Sequence, residues 1–403
     1  MWEMGRGGGV RPIAPARPPG GRSVTDTSPM PPPTSPTPLD WAVIGCGWVA
    51  RDHGGPGIAG SGNGRVAFAC DRDAAAADRF VASLRNRDRQ GAGSVGVRAE
   101  GADSLTVAVP TFDNLSTLLA GHRPGAAYLA TPNHAHRGPA EALAAAGVPT
   151  LCEKPLAHDT EDAAAIVRAF ETAGTPLAVA FDQRFHPAHV RLREMVAAGE
   201  LGTVTHARVH YACWLPADWS PDGPDSGHPP HDNWRKDPAR AGGGAAIDLA
   251  PHGLDLLAVL LDSEWAELFA LTRTAVQAYS VDDGAVLCGR LSGGRWCGDV
   301  LASLHVGYDT PDALPRRRLE LVGTRASAVL ENTMGQDPGG TFTLHSAATG
   351  EATDVPFDRA ADPFAAQAEA FAACVSSGAP FPHPPAADLR RHELLLNALA
   401  RSR

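Results

Sequence analysis

The stretch Asp40-Trp41-Ala42-Val43-Ile44-Gly45-Cys46-Gly47-Trp48-Val49-Ala50 decides the fold. The apolar run from Trp41 to Ile44 reads as a short buried strand. The glycines that follow have the spacing G-x-G-x-x-A. Gly45 permits a tight turn out of the strand, Gly47 lets the backbone approach a pyrophosphate, and Ala50 is small enough for close helix–strand packing. A helix starting near Trp48 and Val49 points free N–H groups and its positive end at phosphates. With 43 glycines in the chain, the motif gains its weight from these flanks. A second strand, Val66–Cys70, ends in Asp71, placed to hold the adenosine ribose hydroxyls and to repel a 2′-phosphate. A glycine-rich loop, Gly54–Gly64, accounts for its long spacing from Gly45. Arg72 comes next and would instead serve a 2′-phosphate. The expected cofactor is NAD, with NADP as the alternative.

Outward from this stretch the pattern alternates. A helix over Ala74–Leu84 leads to a polar insertion, Arg85–Ser104, and a strand, Leu105–Val109. A helix over Asn114–Ala120 and a strand over Ala126–Ala130 follow. Then come a helix over Gly138–Ala146, a strand over Val148–Cys152, a helix over Asp162–Thr172 and a strand over Pro176–Ala180. Alternating apolar strands and helices predict an α/β fold with a doubly wound parallel sheet. Ligands of such sheets bind outside the carboxyl ends of the strands. The Gly45 turn, Asp71, Asn133 and Lys154 all fall at such ends.

Past Phe181-Asp182-Gln183-Arg184-Phe185 the pattern changes to a helix over His189–Ala198 and long alternating strands. These are Thr203–Trp214, Ala266–Thr274, Ala285–Leu291, Arg295–Val306, Arg317–Val322, Ala326–Glu331 and Thr341–Ser346, with hairpin turns at Ser292-Gly293-Gly294 and Gly323-Thr324-Arg325. Helices over Asp362–Val375 and Ala386–Ala400 close the chain. The expectation is an α+β domain built on a large, mostly antiparallel open sheet. The organisation is then residues 1–38 as a disordered extension, 39–181 as a Rossmann domain, and 182–403 as a substrate and oligomerisation domain.

In that second part, Gly242-Gly243-Gly244 leads into an apolar segment carrying Asp248, His252 and Asp255. Positions four apart share a helix face, so two carboxylates bracket an imidazole. The glycines would let the chain come close to a ligand. The long loop between Trp214 and Trp234 has the length of a functional loop. Trp214, Trp219 and Trp234 offer flat faces to the CH face of a sugar ring, with Arg235 just after them. His228-Pro229-Pro230-His231-Asp232 resembles a metal cluster, but its prolines prevent helical alignment of ligands, and no metal is expected.

Composition narrows the classes. The 403 residues carry a net charge of −10 and 43% hydrophobic residues, enough for two cores and without a basic footprint for nucleic acid. No window approaches 18 uninterrupted apolar residues, so no membrane partner is expected. The seven cysteines are scattered without a C-x-x-C pair, the usage of reduced thiols in a cytoplasmic protein. Residues 1–38 are too poor in apolar groups to offset ordering entropy, and translation starting near Met30 would also fit.

From Asp40 onward the chain resembles the Gfo/Idh/MocA oxidoreductases. The matching pieces are Gly45-Cys46-Gly47-Trp48-Val49-Ala50, Thr131-Pro132-Asn133 with His136, Glu153-Lys154-Pro155, and Gly242-Gly243-Gly244 with Asp248, His252 and Asp255. The resemblance implies Lys154, Asp248 and His252 as the catalytic group, and a homodimer or homotetramer formed through the second sheet. The candidate cofactor residues are Gly45, Gly47, Trp48, Val49, Ala50, Asp71, Arg72, Thr131, Pro132, Asn133, His136, Glu153 and Lys154. The candidate substrate residues are Lys154, Arg184, Trp214, Trp234, Arg235, Asp248 and His252. The chemistry fits hydride transfer from a secondary alcohol of a polyhydroxylated small molecule. His252, with an ordinary pKa near 6.5, is the expected base, Asp248 its orienting partner or a hydroxyl ligand, and Lys154 the stabiliser of the alkoxide. The alternatives are a non-catalytic NAD-binding regulator on this fold, or an enzyme using tightly held NAD transiently in glycoside hydrolysis or sugar-to-sugar redox.

Overall fold

The short apolar runs of the first half that are described form strands of one parallel sheet. The computed structural model of the protein describes residues 38–89, 109–220 and 233–402. Strands β1 (Leu39–Ile44), β2 (Gly64–Cys70), β3 (Thr111–Phe112), β4 (Ala126–Leu129), β5 (Thr150–Glu153) and β6 (Leu177–Ala180) lie in the order β3-β2-β1-β4-β5-β6. All neighbours are parallel. The order reverses at β1, which pairs with β2 on one side and β4 on the other. A crevice therefore opens at the carboxyl ends of β1 and β4, where this topology binds ligands.

Two local expectations need correction. Gly55–Gly60 is helical, although Gly54–Gly64 reads as a loop. A side chain at Gly54 would strike the Tyr128 ring and one at Gly57 would strike Phe364, so these glycines serve close packing. The expected strand Leu105–Val109 lies, but for Val109, outside the described residues, as does most of Arg85–Ser104; Arg85–Arg89 extend the helix Ala74–Arg89, and the third described strand is Thr111–Phe112. Residues 1–37 also lie outside the described residues.

The second sheet holds β7 (Val204–Ala212), β8 (Glu264–Arg273), β9 (Gly284–Ser292), β10 (Val300–Gly307), β11 (Arg317–Gly323), β12 (Ala326–Glu331), β13 (Thr341–Ser346) and β14 (Ala352–Asp354). Their order is β14-β13-β12-β11-β7-β10-β9-β8. Every pairing is antiparallel except β7 with β10, which is parallel. The turn at Thr324-Arg325 is tight. The connection after Ser292 instead runs from 293 to 299, with the Cys297 thiol turned inward to the Leu261 carbonyl at 3.5 Å. The short β14 is fully exposed and gives no apolar alternation to read.

The helix Ala245–Leu261 lies against the inner face of this sheet, with Leu249, Leu254, Leu256, Leu257 and Leu260 in one core with Val209, Leu304 and Leu319. The segment Pro238–Leu261 is long and apolar enough to cross a membrane by composition, which the absence of an uninterrupted apolar run concealed; 89% of its most apolar window is buried inside the protein. Its carboxylates and histidine interrupt the run and mark it as a core helix that carries a site.

The helix Pro363–Ser377 returns to the first sheet. Ala368, Phe371 and Ala372 join the core of Trp41, Val43 and Tyr128, and the Trp41 and Phe371 rings lie 5.7 Å apart. This helix thus closes one face of the nucleotide sheet. Phe371 is fully buried, so Phe371→Ala is expected to cost about 3–5 kcal/mol. Chemical denaturation checks this; a loss below about 1 kcal/mol would show that the helix is not part of that core.

Candidate active site

A cavity of about 860 Å³ lies between the carboxyl edge of the first sheet and the second sheet. The parallel pairing of β7 with β10 is what brings the second sheet to it. Both strands end at the same edge, so Tyr211 at the end of β7, Cys213 and Trp214 just after it, and Tyr308 after β10 face one space. β11 runs the other way and therefore starts there, placing Arg316 and Arg317 on the same wall.

At the crevice end, Gly45 has φ +85°, and a Cβ would meet Ala130 and Thr131 backbone atoms at 2.7 Å. Only glycine lets β1 and β4 approach this closely. A Cβ at Gly47 would meet no protein atom within 4 Å; its open side is the cradle a phosphate group needs. The Cys46 amide donates to Asp71 Oδ2 at 2.8 Å and the Asp73 amide to Oδ1 at 2.9 Å. These bonds aim the carboxylate at the cavity and leave it lone pairs for hydroxyls. Trp48, Val49, Arg72, Thr131, Pro132, Asn133 and Glu153 also line the cavity. The residues present fit a dinucleotide.

Ala50 and His136 do not line it. Ala50 is buried in the sheet core. His136 is fully buried, its Nε2 2.7 Å from the Thr131 carbonyl and its Nδ1 3.0 Å from that of Leu156. It ties together the segments that follow β4 and β5.

Lys154, immediately after β5, lines the cavity. Its Nζ donates to Asp248 Oδ1 at 2.9 Å and to the Asp248 carbonyl at 3.0 Å. Asp248 Oδ2 accepts from the Tyr308 hydroxyl at 2.8 Å and lies 3.5 Å from Arg235 Nε. Burial by itself would raise the Asp248 pKa; the Lys154 and Arg235 cations and the hydrogen bonds from Lys154 and Tyr308 outweigh it and hold the carboxyl well below the usual range. Burial and then Asp248 push the Tyr308 phenol far up, so it remains a donor. Behind Lys154, Glu153 accepts from the Tyr128 hydroxyl and the Lys154 amide.

His252 sits one turn from Asp248 and lines the same cavity, 3% exposed. Neither ring nitrogen has a hydrogen-bond partner among the described residues. Asp248 does not orient it; that carboxylate is already held by Lys154, Tyr308 and Arg235. The Phe181 and Tyr211 rings meet the imidazole edge-on, and Asp182 Oδ1 lies 4.0 Å from Nδ1. Burial, and then the Lys154 cation, lower the His252 pKa well below 6.5, so the ring is neutral. Burial and then Glu153 push the Asp182 carboxyl up to about 7.

Asp255 and Arg184 are placed elsewhere. Asp255 is seven residues beyond Asp248, roughly 10 Å down the helix axis. There it accepts from Arg184 Nε at 2.8 Å and Nη2 at 2.6 Å, and from Arg391 at 3.1 Å. Arg184 also donates to Asp388, and its side chain is 0% exposed. Neither residue lines the cavity, so Arg184 has no surface to offer a substrate. The glycines of Gly242-Gly243-Gly244 also face protein: a Cβ at Gly242 would strike the His158 carbonyl and one at Gly244 that of Asp282. Asp282 caps the new helix, accepting from the Gly244 and Ala246 amides at 2.8 and 2.7 Å.

Trp214, Trp219, Trp234 and Arg235 all line the cavity. The motif His228–Asp232 lies outside the described residues. Sequence reading passes over Tyr211, Cys213, Tyr308, Arg316 and Arg317. Their common signal is the parallel pairing of two strands far apart in sequence, which no local pattern carries.

Comparison with known proteins agrees with this geometry. Residues 39–181 match the family described as an oxidoreductase family with an NAD-binding Rossmann fold, and residues 189–329 match the GFO/IDH/MocA C-terminal domain. The chain belongs to the GFO/IDH/MocA oxidoreductases. Its first sheet is an NAD(P)-binding Rossmann domain. A 1,5-anhydro-D-fructose reductase of Ensifer adhaerens is 35% identical over 237 residues, covering 58% of this chain and 65% of that protein, just under two thirds of its length. A D-xylose 1-dehydrogenase (NADP(+)) of Haloferax volcanii is 30% identical over 308 residues, 75% of this chain and 83% of that protein. An aldose-aldose oxidoreductase of Caulobacter crescentus, solved with glycerol, shares the fold at TM-score 0.71 and 19% identity, over 91% of this chain and 98% of its own.

The Arg184 cluster generates a stability prediction. Removing one partner of a buried ion network strands its carboxylates and costs about 3–5 kcal/mol. Arg184→Met is therefore expected to lower unfolding free energy by about that amount. Unfolding of wild type equal to that of the variant would contradict the structural role.

Proposed function

We propose that this GFO/IDH/MocA protein catalyses reversible hydride exchange between a nicotinamide dinucleotide and a secondary alcohol on a sugar, a cyclitol or a related polyhydroxylated ring. One observation carries the reading. The cavity that holds the Gly45–Gly47 cradle also holds Lys154, its partner Asp248, the Tyr308 hydroxyl that donates to Asp248, and a neutral imidazole unpartnered among the described residues.

The nicotinamide, when bound, supplies the hydride acceptor; the chain's own residues must bind the alcohol and move its proton. Lys154 spends two N–H donors on Asp248 and keeps a third. That donor can hold the alcohol oxygen and stabilise charge developing on it. Asp248, clamped by Tyr308 and Arg235, fixes where the Lys154 head stands. His252 offers a ring nitrogen with no competing partner among the described residues, so it takes the alcohol proton in the oxidative direction and returns it in the reductive one. Trp214, 38% exposed, and Trp234, whose ring lies 4.6 Å from the Arg235 guanidinium, offer faces for the CH side of the ring.

Asp71 at the cavity lip favours NAD over NADP, with Arg72 beside it for the opposite outcome. The outward face of β8, β9 and β10 exposes Phe269, Leu271, Val286 and Leu301, an apolar patch suited to a homodimer or homotetramer; sedimentation as a monomer would contradict that.

The test is a screen of aldoses, cyclitols and sugar acids with NAD and NADP, followed by absorbance of the reduced cofactor, in wild type and His252→Ala. Loss of a positioned acid–base group costs about 10²–10⁴-fold in rate, and that loss in kcat is expected with cofactor binding retained. The pH profile separates the groups. A lowered pKa means that His252 is already neutral at pH 6.5 and takes up a proton only as pH falls well below it, so it adds no inflection between pH 6 and 8. Asp182, its carboxyl pushed up to about 7 and 4.0 Å from the ring, is the group placed to give an inflection near 7, which should then disappear in Asp182→Asn. A wild-type step near 6.5 that vanishes only with His252→Ala would contradict the neutral-base assignment.

A further inference from the structure

The wall of the cavity around Cys213 is more basic than proton and hydride movement require. Arg235, Arg316 and Arg317 all line it, and all three act on the Cys213 thiol. Arg235 leans on Asp248, a carboxylate already taken by Lys154. Arg316 pairs with Asp312. Arg317 has no carboxylate within ion-pair distance among the described residues. Its guanidinium lies over the Tyr211 ring, 5.7 Å from the centroid, and its Nε is buried without a hydrogen-bond partner among those residues.

The arrangement is not an accident of strand alternation. Neighbouring residues of a regular strand face opposite sides. Arg316 precedes β11 and Arg317 opens it, so both reach the cavity. Burial and then the Arg317 charge lower the Arg316 pKa from its ordinary value, the sign of two guanidinium groups crowded in a partly dry wall. Like charges held together cost free energy unless an anion relieves them. A planar guanidinium with spare N–H donors matches a carboxylate or a phosphate better than it matches a hydroxyl.

We propose that the substrate ring carries an anionic group, a carboxylate or a phosphate, bound by Arg317 with Arg235 and Arg316 beside it. This rests on the reading of the cavity as a polyol-oxidising site. It makes the substrate an acidic sugar or cyclitol derivative, with the Arg317 side of the wall fixing which end of the ring enters.

The test compares matched sets: glucose, glucuronate and glucose 6-phosphate, and galactose, galacturonate and galactose 6-phosphate. Binding to the NAD-loaded protein is read by quenching of tryptophan fluorescence, and turnover by absorbance of the reduced cofactor. In at least one set a charged member should bind tenfold or more tightly than its neutral parent, a gap of about 1.4 kcal/mol, and the arm that wins distinguishes carboxylate from phosphate. Arg317→Gln should shrink that ratio several-fold, and Arg317→Lys, which keeps charge without the fork, should retain part of it. Neutral parents binding as tightly as every charged relative, or no charged member binding, would overturn the proposal. So would a charge preference that survives Arg317→Gln. Charged ligands that bind without ever reducing cofactor would count against the dehydrogenase reading while leaving this one standing.

Discussion

The ion pair of Lys154 with Asp248 is the contact on which the site depends. It joins the end of β5 in the nucleotide sheet to the core helix of the second sheet, across 2.9 Å. Both side chains are largely buried, so each would be a costly stranded charge without the other. Asp248 is further held by Tyr308 and Arg235, which means that three separate segments converge on one carboxylate. The pair therefore fixes the spacing of the two sheets at the point where a substrate must fit, and it fixes the Lys154 head as well.

The helix Ala245–Leu261 acts as a ruler with two anchored levels. Asp248 holds its upper level to the nucleotide sheet through Lys154. Seven residues further down, Asp255 holds it to Arg184 and Arg391. His252 lies between these anchors, wedged by the Phe181 and Tyr211 rings. An imidazole kept neutral, buried and unpartnered among the described residues is an unfavourable arrangement for stability. It persists because the surrounding anchors over-determine its position, a pattern expected at sites that do chemistry.

Local signals in the sequence carry most of the fold. The G-x-G-x-x-A turn, the alternation of short apolar strands with helices, and the i, i+4 spacing of Asp248 and His252 are all encoded within a few residues, and apart from the Gly55–Gly60 helix the described elements lie close to where that pattern places them. What failed to be legible is non-local. Asp255 shares a face with Asp248, but helical rise carries it to a different partner. Arg184 looks like a ligand-binding arginine in sequence, yet two distant carboxylates, Asp255 and Asp388, claim it. The triple glycine signals close approach without saying to what; the approach is to the protein's own carbonyls. Tyr308, Arg316 and Arg317 become visible only once β7 and β10 pair in parallel across roughly a hundred residues of chain.

The central claim is that Lys154, positioned by Asp248, acts on the alcohol oxygen during hydride transfer. Single-turnover mixing of the cofactor-loaded enzyme with the best substrate and its deuterated form isolates that step. For Lys154→Met the account predicts hydride transfer slowed by about 10²–10⁴-fold, a full primary isotope effect, and cofactor affinity close to wild type. A Lys154→Met enzyme that transfers hydride at the wild-type rate, or whose loss lies wholly in cofactor binding, would contradict it.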